Sequence, residues 1–242
     1  MIQYTYLLIN FFTVIICFIF SFHPKIKFNR HFCAFIKTSV LVGLVFILWD
    51  IWFTKNGVWW FNYRYLIGLK ISELPIEEIL FFICIPFSCI FTYFCLDKFF
   101  KLDWKPNSEK IFVVISSILF LGIALYYHDR IYTFITFLST SISLLILYFV
   151  LKINWIGTAS MIYLILTPGF FLVNGILTGT GLDSPIVNYN PENHIGFRML
   201  TIPIEDFFYG YEMILWNLFF FYKFKKPDVD VETTSQLNIS VK

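Results

Sequence analysis

Two pairs of neighbouring acidic residues each follow a proline and an isoleucine, and each pair opens a long apolar segment. The first pair is Glu77-Glu78 and the second is Glu205-Asp206. Carboxyl groups in an apolar setting can donate and accept protons, and two carboxyl groups in different environments can divide the acid and base roles. Neighbouring side chains on a helix point about 100° apart, so we expect one member of each pair to face the protein interior.

Helix capping is the simplest structural interpretation of one such motif. Proline is favoured at the first helical position, and acidic residues in the first turn complement the helix dipole. Here the motif occurs twice, as Pro75-Ile76-Glu77-Glu78 and Pro203-Ile204-Glu205-Asp206, 128 positions apart. Two copies at corresponding places of an internal repeat favour a functional role over capping. Pro75 and Pro203 are weaker candidates for the same site.

Two further polar residues lie inside apolar segments. Asp50 stands among tryptophans at the end of the second segment, on the membrane side that the first acidic motif is expected to share. Its approximate counterpart in the second half of the chain is Asn174. Because acidic residues inside a membrane bundle are functional candidates by default, Asp50 is a weaker candidate for the site, and Asn174 joins it.

The composition places these residues in a membrane protein. Of the 242 residues, 58% are hydrophobic and only 14% are charged, whereas soluble domains carry about 25% charged residues. Such a hydrophobic chain excludes intrinsic disorder. The net charge of +2 is too small to indicate nucleic-acid binding, and we expect none.

Seven apolar segments approach the roughly 20 residues that a transmembrane helix needs. They are Tyr4–Phe22, Phe32–Phe53, Ile76–Leu96, Ile111–Tyr127, Ile131–Leu151, Ile156–Thr178 and Ile204–Tyr222. They are apolar on every face, whereas the strands of a membrane barrel alternate between apolar and polar residues. The sequence therefore predicts an all-α, polytopic transmembrane helical bundle of about seven spans.

The basic residues predict the orientation of this bundle. Thirteen Lys and Arg residues fall on the side of the C-terminus, and five fall on the side of the N-terminus. Basic residues are enriched in cytoplasmic loops. We therefore predict a multi-pass protein of the cell (inner) membrane, with its N-terminus outside and its C-terminus in the cytoplasm.

The duplicated motif belongs to a longer internal repeat. Gly68 and Gly196 each precede the proline of their motif by seven positions, and Asn62-Tyr63 and Asn188-Tyr189 recur further upstream. The predicted organisation is a first unit at 1–110, a linking fourth span at 111–130, a second unit at 131–222 and a polar cytoplasmic tail at 223–242.

The linking span fixes how the two three-helix units relate. A step of four spans restores the original direction, so the units are predicted to be parallel repeats about an axis along the membrane normal. Both acidic motifs then lie on the same side of the bilayer, where they can face one shared cavity.

No sequence motif indicates a redox cofactor or a metal site. Gly179-Thr180-Gly181 begins like a dinucleotide fingerprint, but Ser184 stands at the third glycine position and no βαβ pattern surrounds it. The five cysteines have no CxxC spacing. Chemistry on side-chain protons alone favours isomerisation, hydration or elimination on a lipophilic substrate.

With these features the sequence resembles the lycopene cyclase domain family of small membrane cyclases. The resemblance rests on the duplicated Pro-x-Glu-Glu/Asp motif and covers nearly the full chain, residues 1–222. It implies a lycopene β-cyclase of the fused heterodimeric type, an intramolecular lyase or isomerase of carotenoid biosynthesis that closes ψ-end groups to β-rings without a cofactor. Glu77, Glu78, Glu205 and Asp206 would be its acid and base set.

The resemblance also implies partners. Lycopene in the lipid bilayer would be the substrate, and a homo-oligomer or other carotenoid-pathway enzymes are protein partners that the resemblance leaves open. A related carotenoid hydratase, which adds water instead of closing a ring, is an alternative reaction.

Two alternatives are not carotenoid-converting enzymes. A small proton-coupled transporter would also combine parallel repeats with intramembrane carboxylates, although a Gly/Pro break is evident only in the sixth span, at Thr167-Pro168-Gly169. A non-catalytic membrane partner of a pigment enzyme or rhodopsin is the other.

Overall fold

The computed structural model describes residues 2–100, 102 and 104–226. Seven α-helices run through these residues: α1 Thr5–Phe20, α2 Phe32–Lys55, α3 Ile76–Phe99, α4 Pro106–Tyr126, α5 Ile131–Leu145, α6 Ile156–Leu177 and α7 Ile204–Phe224. Six helical segments are long and apolar enough to cross a membrane; they contain α1 to α6, with the adjoining turns Ile2–Tyr4 before α1, Phe28–His31 before α2 and Ile146–Val150 after α5. The predicted all-α, polytopic helical bundle is confirmed. The tail predicted at 223–242 lies outside the described residues from position 227 onward.

Helix α7 differs from the other six in composition and position. It carries Glu205, Asp206 and Glu212, and all three side chains are buried. It packs against α2, α3, α5 and α6 inside the bundle, where its acidic side chains are shielded from lipid. The seventh span therefore stays a prediction.

Two reporter fusions test this span and the orientation. A reporter fused after Tyr222, near the end of α7, is expected to be active in the cytoplasm, because the basic residues predict that side for the C-terminus. A reporter in the loop at 182–193 is expected to report the outside. Activity of both reporters in the same compartment would show that the span count is wrong and that the acidic motifs need another explanation.

Some helix boundaries differ from those predicted. Helix α4 begins at Pro106, upstream of the predicted Ile111, because proline is favoured at the start of a helix and Glu109 supports the first turn. Helix α5 is followed directly by a π-helical turn, Ile146–Val150. Helix α6 runs through Pro168 without interruption, so the break predicted there is wrong.

Six short strands lie in the two loops that precede α3 and α7. They are β1 Trp59–Phe61, β2 Lys70–Ile71, β3 Leu74–Pro75, β4 Val187–Tyr189, β5 Arg198–Met199 and β6 Ile202–Pro203. Hairpins β2–β3 and β5–β6 have the same register 128 positions apart, and each ends on the proline of its motif. Gly68 and Gly196, which precede the hairpins, both have φ of +87°, a conformation that glycine adopts without strain.

Strands β1 and β4 connect the two loops. Trp60 lies opposite Asn188, 128 positions away, so the ladder maps onto itself when the two halves of the chain are exchanged. The backbone N–H of Asn62 donates to Ile186 at 2.8 Å, and that of Asn190 donates to Val58 at 2.9 Å, as an equivalent pair. This register is the one expected if a two-fold axis relates the two halves of the chain. The unit boundaries at 110 and 131 stay a prediction.

Helix packing brings the acidic motifs to the same end of the bundle. Helix α1 packs against α3, and α5 packs against α7, while α7 also packs against α2. A hydrogen bond from Tyr6 to Glu78 joins the first turns of α1 and α3, and bonds from Tyr132 and from Tyr189 of β4 to Asp206 join the first turns of α5 and α7 to the β1–β4 ladder. Each acidic motif opens one of these helices, α3 or α7.

Candidate active site

A cavity of about 560 Å³ lies between α1, α3, α6 and α7. Apolar side chains form most of its wall, and three acidic residues line the end near the β1–β4 ladder. The polar and aromatic residues at this end, which we call the acidic end, are Tyr6, Asp50, Trp59, Glu78, Tyr132, Tyr189, Asp206 and Tyr209.

Glu78 extends from the first turn of α3 into the cavity. The phenol of Tyr6, on the first turn of α1, donates a hydrogen bond to Glu78 Oε2 at 2.6 Å. Tyr6 is fully buried. Its phenol and this carboxyl group therefore form a pair that is shielded from bulk water and opens only toward the cavity.

Asp206 extends from the first turn of α7 into the same cavity. Tyr132, on the first turn of α5, donates to Asp206 Oδ1 at 2.5 Å, and Tyr189 of β4 donates to Oδ2 at 2.7 Å. Burial of the phenol raises the pKa of Tyr189 well above its ordinary value, and the nearby charge of Asp206 adds to the effect. The Tyr189 phenol therefore keeps its proton and acts as a donor.

Glu78 and Asp206 differ in the number of phenols that bind them. Tyr6 and Tyr132 occupy similar places at the starts of α1 and α5, and each binds one acid. Tyr189 has no such counterpart, because the β1–β4 register places Phe61 at the equivalent position, 128 residues earlier. Asp206 therefore accepts two phenolic hydrogen bonds, and Glu78 accepts one.

This register corrects one correspondence read from the sequence. The sequence comparison matched Asn62-Tyr63 with Asn188-Tyr189, but the position equivalent to Asn62 in the second half is Asn190. The match was therefore shifted by two positions. Both asparagine Oδ1 atoms accept the backbone N–H two residues further on, at 3.1 Å and 3.0 Å. Tyr63 is exposed outside the cavity, whereas Tyr189 lies at the acidic end.

Glu77 and Glu205, the other member of each pair, are directed to the loops. Glu77 Oε1 accepts the backbone N–H of Ile67 at 2.7 Å. Glu205 Oε1 accepts the backbone N–H of Ile195 at 2.9 Å and the hydroxyl of Thr133 at 2.6 Å. Both side chains are fully buried. The expected division therefore holds in the geometry: one acid of each pair faces the cavity, and the other fixes the preceding loop.

Asp50 is the third acid of the cavity. Its Oδ1 accepts the indole N–H of Trp59 at 2.5 Å. Its Oδ2 is buried, and within the described part of the chain no hydrogen-bond partner reaches it. Asp50 therefore lines the acidic end with one buried carboxylate oxygen that has no hydrogen-bond partner among the described residues.

The remaining sequence candidates have more limited contacts. Asn174 lines the cavity, and its Nδ2 donates to the Phe170 carbonyl at 3.3 Å. Pro75 and Pro203 end the two hairpins and stand directly before α3 and α7. We assign these prolines the role of setting the direction in which each acidic pair enters the bundle.

The phenols and the indole of the acidic end were missed by the sequence reasoning. Tyr6 and Tyr132 each stand near the start of an apolar segment, 126 positions apart, so their repetition was a readable signal. Tyr189 was noted as part of a repeated dipeptide, but its contact with Asp206 depends on the loop register. Trp59 is one of the tryptophans near Asp50 in the sequence, but its hydrogen bond to Asp50 depends on how the loop after α2 folds back.

Another buried acid, Glu212, lies outside this site. Its Oε1 accepts the hydroxyl of Ser143 at 2.7 Å, and its Oε2 accepts those of Ser139 at 2.7 Å and Thr140 at 3.3 Å. These three hydroxyl groups belong to α5. Because both carboxyl oxygens are satisfied, we interpret Glu212 as a packing link between α5 and α7.

A comparison with models of protein families matches most of the chain. The family model described as lycopene cyclase matches residues 3–96 and 129–224. The two matched segments contain both acidic motifs and every residue of the acidic end. Neither the search of curated proteins nor the search of solved structures found a match.

Proposed function

Since the chain belongs to the lycopene cyclase family, we propose that it is a lycopene β-cyclase that closes the ψ-end groups of lycopene by acid–base chemistry. The observation that carries the proposal is the pair Glu78 and Asp206, which line one apolar cavity from the first turns of two equivalent helices. A mostly apolar cavity with a few convergent polar groups suits a lipophilic substrate that must be protonated at a defined carbon.

The proposed reaction transfers one proton to the substrate and removes another. The acid protonates C2 of the ψ-end group, which leaves a tertiary cation at C1. The π electrons of the C5–C6 double bond then form the C1–C6 bond, and the positive charge moves to C5. The base removes the proton from C6, which gives the C5–C6 double bond of the β-ring. No electrons are gained or lost, so the net change is an isomerisation.

The number of phenols divides the two roles in this proposal. Hydrogen-bond donors stabilise the charged form of a carboxyl group. Asp206 accepts two phenolic hydrogen bonds, whereas Glu78 accepts one. We therefore propose Glu78 as the acid and Asp206 as the base.

Glu77 and Glu205 act as positioning residues in this proposal. Each fixes the backbone of the loop that precedes its hairpin, through the N–H of Ile67 or Ile195. Because the cavity acid is the next residue along the same helix, this contact sets the direction in which Glu78 or Asp206 points. Precise placement of a proton donor is worth a large factor in rate.

The walls of the acidic end suit the cation that ring closure requires. The rings of Trp59, Phe81 and Tyr209 line the cavity, and aromatic faces attract cations. Asp50 adds a third carboxyl group to the cavity wall. The β1–β4 ladder covers this end and keeps water from the cation, whose capture by water would give the product of a hydratase instead.

Expression in a lycopene-accumulating bacterial host tests the proposed function. With the protein present in the membrane, chromatography of the pigments is expected to show γ-carotene or β-carotene in place of lycopene. A new hydroxylated acyclic pigment would identify a hydratase instead. Unchanged lycopene, with the protein shown to be inserted, would refute both reactions and leave the transporter and the non-catalytic partner.

A further inference from the structure

We infer that the cavity opens sideways into the bilayer through a mouth between α1 and α6, where the rest of the polyene lies while one end group reacts. We define the mouth by Leu8 and Phe12 of α1 and by Gly169 and Leu172 of α6. The inference rests on the proposed function, because it assumes a substrate longer than the cavity.

The exposure of the wall residues locates this mouth. Leu8, Phe12 and Leu172 line the cavity and are also 46%, 64% and 67% exposed on the outer surface of the bundle. Side chains that face both the cavity and the outside mark the point where the wall is open. Gly169 lies beside them, and a Cβ atom at this position would meet nothing within 4 Å.

The position of the mouth along the helices points to lipid rather than water. Phe12 lies six residues after Tyr6 on α1, or about 9 Å further from the acidic end at the usual helical rise. At the acidic end, Phe61 of β1 and Val187 of β4 line the cavity beneath the ladder. The cavity is therefore covered on the loop side, and its mouth lies at the depth of the apolar spans.

The chemistry of the mouth fits a polyene chain. Leu8, Phe12 and Leu172 present only apolar surface, and Gly169 leaves room for a chain to pass. A hydrocarbon that extends through this gap stays in contact with apolar groups along its length, from the cavity into the acyl chains of the lipid. The acids lie at the inner end of this path, so one end group reaches them at a time. A substrate with two ψ-ends must leave and return reversed before its second ring is formed.

Variants at the mouth test this inference with two substrates. Leu172→Trp narrows the gap, and Gly169→Leu does so at a position where the added side chain meets no neighbour at its Cβ. The matched control is Leu164→Trp, because Leu164 is 62% exposed on the same helix but lies away from the cavity wall. Each variant is compared with the wild type at equal membrane levels, on lycopene and on an analogue with one ψ-end and a polyene short enough to fit inside the cavity.

Both mouth variants are expected to lose about tenfold or more of kcat/KM on lycopene and clearly less on the short analogue, whereas Leu164→Trp keeps wild-type values on both. Equal losses on the two substrates, or full activity of both mouth variants on lycopene, would overturn the inference. A wild type that converts neither substrate would refute the proposed function itself, so the two failures are distinguishable.

Discussion

Replacement of Glu78 by glutamine is expected to lower the rate of ring closure by about 10²–10⁴-fold, the usual contribution of general acid–base catalysis. Glutamine keeps the shape of the side chain and can still accept the hydrogen bond from Tyr6. It cannot donate a strongly acidic proton to an alkene. The measurement is conversion of lycopene by membranes that contain equal amounts of variant and wild-type protein.

Glu77→Gln is the matched control, because Glu77 is the preceding residue and is also buried but lies away from the cavity wall. Its Oε1 accepts the N–H of Ile67, and the amide oxygen of glutamine can accept the same bond. We expect a loss of about 0.3–1 kcal/mol of stability from the weaker interaction with the helix N-terminus and a turnover close to that of the wild type. If Glu77→Gln were the inactive variant and Glu78→Gln the active one, the assignment within the pair would be wrong.

Deuterium incorporation during turnover in heavy water tests directly whether Glu78 is the proton donor. The wild type is expected to place one solvent deuterium at C2 of each ring that it forms, since the acid exchanges its proton with solvent between turnovers. Glu78→Gln is expected to leave lycopene both uncyclised and unlabelled. Near-wild-type labelling and ring formation in this variant would move the proton donor to Asp50, the third acid that lines the cavity.

The sequence predicts how each acidic pair is oriented, because that orientation depends on local rules. A proline before a helix and the 100° step between neighbouring residues place one acid of each pair toward the interior. The structure agrees, with Glu78 and Asp206 on the cavity and Glu77 and Glu205 on the loops. The expectation that both acids lie at one end of the bundle also needed the predicted step of four spans between the two motifs.

The partners of these acids could not be predicted in the same way. Tyr6 is 72 residues from Glu78, and Tyr132 is 74 residues from Asp206. Such contacts depend on helix packing, which hydropathy does not determine. The role of Tyr189 depends on the β1–β4 register, and strands of three residues carry too little pattern to fix a register. The sequence match of Asn62 was therefore shifted by two positions.

Helix α7 shows the same limit for the span count. Hydropathy measures how well a segment tolerates lipid on all sides, and α7 is packed by other helices. Its acids have protein partners: Asp206 binds two phenols, and Glu212 binds three hydroxyl groups. By composition alone, α7 therefore falls outside the set of membrane-spanning candidates. Its contacts nevertheless place it at the centre of the site.

Asp206→Asn is expected to reduce β-ring formation by about 10²-fold or more and to change the products as well as the rate. The acid remains in place, so the cation can still form, but the base that removes the C6 proton is lost. The cation is then expected to lose a different proton or to capture water, and the resulting ring isomers or hydroxylated pigments carry deuterium from heavy water. Glu205→Gln is the matched control, since its amide oxygen can still accept the bonds from Ile195 and Thr133.

Tyr189→Phe tests why Asp206 is the base. It removes one of the two phenols and makes this position resemble Phe61 in the first half of the chain. A hydrogen bond to a charged group is worth about 1.5–3 kcal/mol, so β-ring formation is expected to fall roughly 10- to 100-fold, with the same labelled side products as Asp206→Asn. Tyr63→Phe, at an exposed position, should leave the products unchanged.

The Glu78→Gln and Asp206→Asn variants together decide whether the two roles are divided. If both variants gave the same phenotype without labelled side products, the acid and base roles would not be divided between Glu78 and Asp206. If the side products came from Glu78→Gln, the two roles would be reversed, and the count of phenols would not decide them.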